Sequence, residues 1–88
     1  LGTQMKHANG AALDRLEDLL SAIRTLPDLK ERTRGVFYRR SKSFLHFHDD
    51  TTGLFADVRR GGEFERFRVT SAAERAAFLE AVRAELIG

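Results

Sequence analysis

The stretch GVFYRRSKSFLHFHDDTTGLFADVRRGGEFERFRV, residues 35–69, decides the fold. Apolar and polar residues alternate through it with a period of two, which is the signature of half-buried strands. Four strands are read at about 35–40, 43–49, 54–60 and 63–69. Turns are placed at Ser41-Lys42, at Asp50-Thr51-Thr52-Gly53 and at Gly61-Gly62. A Gly-Gly pair between alternating runs is a strong two-residue hairpin signal. Gly53 suits a backbone conformation that closes a loop and that side chains resist.

Outward from this block the period changes to that of a helix. Leu13, Leu16, Leu20 and Ile23 recur at helical spacing, which predicts a helix over 11–26 with Asn9 or Gly10 at its start. Pro27 ends it, because the residue before a proline is pushed out of helical geometry. Asp28 to Arg34 is read as a polar connector. On the far side, Ser71-Ala72-Ala73-Glu74 matches the capping box, and Phe78, Leu79, Val82 and Leu86 form the stripe of a second helix. The expected fold is α+β: a four-stranded antiparallel meander with an N- and a C-terminal helix on one face. Residues 1–10 show no periodicity and are expected to be a disordered or vector-derived tail, leaving 11–88 as one domain.

Symmetric turns fix a register. They pair Val36 with Phe47, Phe47 with Ala56 and Ala56 with Phe67, with Tyr38, Leu45, Val58 and Glu65 as the next row. This aliphatic face is assigned to the helices, with Glu65 at an edge. The opposite face carries three rows: Arg39, Phe44, Arg59, Phe64; then Phe37, His46, Asp57, Arg66; then His48, Phe55, Arg68. A slip of one residue would exchange the two faces. Four phenylalanines on a nominally bare face are unusual, since burying each is worth about 1.5–3 kcal/mol. A second copy of the chain, a ligand or the folded-back N-terminal segment is expected to cover them.

Composition narrows the class. The 42% apolar and 32% charged content fits a folded globule, and 88 residues bury only about 60–65% of the unfolded chain's surface. There is no cysteine, so disulfides and thiolate metal sites are excluded. No apolar run approaches the roughly 18 residues of a membrane span, and no signal peptide is evident, so a cytoplasmic location is expected. Charge is uneven: residues 30–68 carry ten basic and six acidic side chains, while each flank comes to −1. That basic sheet region hints at an anionic partner.

Three constellations carry chemistry. His46 and His48, two apart on one strand, share a face, and Asp57 lies opposite His46; the three are candidate metal ligands, with zinc as the cofactor. The row His46–Asp57–Arg66 alternates in charge, but neither Ser41 nor Ser43 shares its face, so no nucleophile and no catalytic residue is assigned. Arginines 39, 59, 66 and 68 interleaved with phenylalanines 37, 44, 55 and 64 fit a protein interface and also resemble single-stranded nucleic-acid sheets. The leading expectation is a non-enzymatic domain without a cofactor, self-associating as a homodimer or binding a partner through this face. Metal or small-ligand binding at His46, His48 and Asp57, and nucleic-acid binding by the Arg/Phe face, are the alternatives.

The block Gly35 to Val58 resembles a family of short, uncharacterised bacterial proteins from high-GC genomes, built as a helix, an F-L-H-F-H-acidic-…-G-L-F-A-D-V segment and a closing helix. More distantly, Leu26-Pro27, Val36-Phe37 and Lys42-x-Phe44 are similar to the MmcQ/YjbR-like proteins, small α/β domains some of which are proposed to bind DNA. Neither resemblance implies a catalytic residue.

Overall fold

The computed structural model describes residues 6–87. A two-residue strand β1 (Lys6–His7) leads into α1 (Gly10–Arg15) and α2 (Glu17–Arg24). Five strands follow: β2 (Lys30–Thr33), β3 (Val36–Arg39), β4 (Lys42–Asp50), β5 (Gly53–Arg60) and β6 (Glu63–Arg68). Helix α3 (Ala72–Ile87) comes after them. The architecture is α+β, with N-terminal helices and a C-terminal helix packed on an antiparallel meander of order β2-β3-β4-β5-β6.

Both helix signals operate through specific atoms. The Asn9 side chain accepts from Ala12 N at 2.9 Å. At α3, Glu74 Oε1 accepts from Ser71 N at 2.9 Å and Thr70 N at 3.0 Å, while Ser71 Oγ accepts from Glu74 N at 3.1 Å. These bonds satisfy N–H groups that a helix cannot pair internally. The expected first helix is broken at Leu16, whose N–H turns back to Leu13 O at 3.0 Å while its carbonyl takes Leu20 N–H. Its apolar stripe survives the break: Leu13, Leu16, Leu20 and Ile23 are all buried.

The sheet has five strands in its meander rather than four. Strand β2 falls inside the segment read as a connector. Its sequence, Lys-Glu-Arg-Thr, offers no apolar alternation because it is an edge strand with mostly exposed residues. Glu31 fixes it to α2 by accepting from Arg24 Nε at 2.6 Å, and to the β2–β3 turn by accepting from Gly35 N at 2.8 Å.

The register across β4, β5 and β6 is the expected one. Phe47 faces Ala56 and Ala56 faces Phe67, and Val58 faces Glu65 on the edge strand. Phe47 and Phe67 pack edge-on against Phe78 of α3, at 6.2 and 5.3 Å between ring centroids. The β3–β4 register is not. The turn sits at Arg40-Ser41, both at positive φ, and a bulge leaves Phe44 as an extra residue between the pairs Phe37–Leu45 and Tyr38–Ser43. Neither turn residue is Gly, Asn or Asp, so the usual signal for a two-residue hairpin is missing. The slip carries Phe37 opposite Leu45 and into the core, and Phe44 is buried with it.

The same slip leaves β3 paired only to Lys42–Leu45. Strand β1 takes the remaining edge of β4, pairing Lys6 with Asp49 and His7 with His48. Ala8 N donates to Phe47 O at 3.1 Å. So short a strand is marginal: ordering each residue costs about 1–2 kcal/mol of backbone entropy, and each hydrogen bond returns about 0.5–1.5.

Candidate metal centre

The face away from the helices carries the row His46–Asp57–Arg66 in the expected register, with His48 opposite Phe55 and Arg68 in the row beside it. Among the described residues, Asp57, at 5% exposed, is the one charged residue that is buried. Its Oδ1 accepts from Arg66 Nε at 2.7 Å and its Oδ2 from Arg66 Nη2 at 2.8 Å. The same Oδ2 lies 3.2 Å from His46 Nε2 and 3.1 Å from His48 Nε2. The two imidazole nitrogens and the carboxylate oxygen fall within 4.8 Å of one another.

The electrostatics suit ligation. Burial lowers the His46 pKa below its ordinary 6.5, outweighing the pull of Asp57 toward the charged form. The ring is therefore neutral at pH 7, as a metal ligand must be. Burial works to raise the Asp57 pKa, but the Arg66 hydrogen bond and charge and the two histidines overcome it, and the carboxyl titrates below its ordinary 3.8. The His48 Nε2–Asp57 Oδ2 contact is a hydrogen bond only with the proton on Nε2, so a metal at Nε2 requires the tautomer with the proton on Nδ1. His48 Nδ1 is buried and meets no partner.

Sequence reasoning left out His7. Through β1 its ring comes to 5.0 Å from that of His48 and 5.8 Å from that of His46, while His46 and His48 are 4.8 Å apart. Nothing in residues 1–10 taken alone marks His7; the available signal was a chain with three histidines, two of them already paired on a strand.

The remaining sequence-predicted residues divide. Phe37 and Phe44 lie in the core. Arg39 is drawn to the helix side, where Nη2 donates weakly to Leu86 O at 3.5 Å. Phe64 stays 41% exposed, edge-on to His46 at 4.9 Å and capped by the Arg59 guanidinium at 4.4 Å. Arg68 lies over Phe55 at 5.7 Å and 3.5 Å from Glu74. Both surface phenylalanines thus meet guanidinium groups of their own chain. Arg39, Arg40, Lys42 and Arg59 line a cleft of about 290 Å³ together with Glu85, and none of the histidines borders it.

Comparison with family models, with curated proteins and with solved structures finds no match to this chain. Among the described residues, no helix is long and apolar enough to cross a membrane.

Proposed function

We propose that this domain binds a divalent transition metal, with zinc as the best fit, through His46, His48 and Asp57. The convergence of two imidazole nitrogens on one buried carboxylate oxygen supports this reading most directly. Tetrahedral zinc, with bonds of roughly 2.0–2.1 Å, sets neighbouring ligand atoms about 3.4 Å apart. The two histidine–aspartate separations are already close to that. Neutral imidazole and carboxylate are ligands that zinc accepts, and the chain has no cysteine to offer a thiolate.

Arg66 has two effects. It holds Asp57 through both oxygens, Nε to Oδ1 and Nη2 to Oδ2, and so fixes the carboxylate's orientation beside the histidines, as outer-shell partners of ligating carboxylates do. Its charge opposes a cation, but its side chain is 44% exposed and largely solvated. Self-association is the competing use of this face. Its motive was four phenylalanines, and with two of them in the core, the metal reading takes precedence.

Zinc titration of metal-free protein tests the proposal. One equivalent should bind, and zinc at a hundredfold excess over Kd should raise Tm by more than about 10 °C, since such excess adds about 2.7 kcal/mol to a domain this small. His48→Ala should abolish both effects. A melting temperature indifferent to zinc, with no heat of binding, would remove the reading.

A further inference from the structure

We propose that His7 supplies a third imidazole to this centre, so that bound metal clamps the N-terminal strand onto the sheet. The inference rests on the metal reading above and extends it to a ligand from a third strand.

The ring spacing carries the argument. A zinc–nitrogen bond of roughly 2.0–2.1 Å places each imidazole centroid about 3.2 Å from the ion, so tetrahedral geometry sets neighbouring centroids about 5.2 Å apart. The three rings here stand at 4.8, 5.0 and 5.8 Å. The two rings on β4 meet edge-on at 81°, and His7 is tilted to them by 33° and 50°. None of the three pairs is stacked flat; the ligand atoms that already converge are those of His46, His48 and Asp57, and His7 would turn a ring nitrogen to join them.

Register explains how His7 arrives there. Directly opposed residues of antiparallel strands project to the same face, and His7 is opposite His48. Only Ala8 and Asn9 separate β1 from α1, and Asn9 is fixed as the helix cap. His7 is therefore held on a short tether whose far end is anchored. Three imidazoles and Asp57 Oδ2 make the four ligands that tetrahedral zinc takes in structural sites.

The proposal gives β1 a reason to stay docked. The strand has two paired residues, and its own hydrogen bonds barely return the entropy of ordering it. A bond from His7 to an ion held by β4 and β5 would tie three strands together. Metal binding and strand docking then become one equilibrium, and each favours the other.

The test compares zinc binding by the intact protein, His7→Ala and His46→Ala in calorimetry, with amide exchange at Ala8 as a second readout. Ala8 N–H bonds to Phe47 O only when β1 is docked. Losing an outer-shell partner already costs about 10–100-fold in metal affinity, so losing a ligand should cost more than about 100-fold. The expected result is such a loss in His7→Ala, comparable to that in His46→Ala, with zinc slowing Ala8 exchange in the intact protein and not in His7→Ala. His7 is exposed, so its substitution spares the core, and unchanged far-ultraviolet circular dichroism would confirm the fold. If the intact protein binds zinc and His7→Ala binds it within about threefold, the third-ligand inference is overturned and the His46/His48/Asp57 reading stands. If the intact protein binds no zinc, both are overturned.

Discussion

Asp57→Asn should destabilise the metal-free protein by about 1–3 kcal/mol at pH 7. The substitution keeps the side chain's volume, so no cavity opens, and what changes is charge and hydrogen bonding. Asp57 accepts two bonds from Arg66 and one from His48, with His46 as a further neighbour. Hydrogen bonds to a charged group are worth about 1.5–3 kcal/mol each. The full sum is not lost. Arg66 is 44% exposed and returns to water, and asparagine still offers one carbonyl oxygen. The remainder is the penalty of leaving buried imidazole N–H groups facing an amide rather than a carboxylate. Urea unfolding in the presence of a chelator measures it: with a slope near 1 kcal/mol/M for a small domain, the midpoint should fall by roughly 1–3 M. The gap between variant and parent should then narrow in acid. Asp57 has a depressed pKa in the folded state, so its contribution is present above pH 3.8 and is lost as pH falls through the lower folded value. A variant as stable as the parent at pH 7, or a gap that does not change in acid, would refute this account of the buried carboxylate.

Two further outcomes follow from the geometry. The His46 pKa is depressed on folding, so the unfolded chain binds its proton first, and metal-free stability should begin to fall as pH drops below about 6.5; chemical denaturation from pH 8 to 5 reads the slope, and His46→Gln should flatten it. Gly53→Ala should cost about 1–3 kcal/mol in urea, because φ is 147° there and an added Cβ would run into Thr70 Oγ1, the acceptor for Leu54 N–H.

The fold was legible wherever a local signal and the hydrophobic period agreed. Ser71 and Glu74 announced α3, and Gly61-Gly62 announced the β5–β6 hairpin whose register places Asp57 beside Arg66. It was illegible where burial or long-range pairing decided. Strand β2 is polar because an edge strand need not bury a face. The Arg40-Ser41 turn adopts positive φ with residues that do not favour it, so tertiary pairing overrides local preference. His7 comes beside His46 and His48 through its pairing with His48, more than forty residues away, and no sequence window spans that distance.

That last contact and the displaced phenylalanines share one origin. With Arg40-Ser41 as the turn and Phe44 bulged out of the ladder, β3 is spent by Leu45, whereas β4 runs on to Asp50. The bulge therefore does two things to the face away from the helices. It withdraws Phe37 and Phe44 into the core, which halves the aromatic surface available to a partner. It also frees the β4 edge across from β5, beside His46 and His48, where β1 brings His7 level with His48. A symmetric β3–β4 hairpin would have occupied that edge and set Phe37 beside His46. The observed register sets His7 opposite His48, so the position that could have been an aromatic interface is filled by a third imidazole.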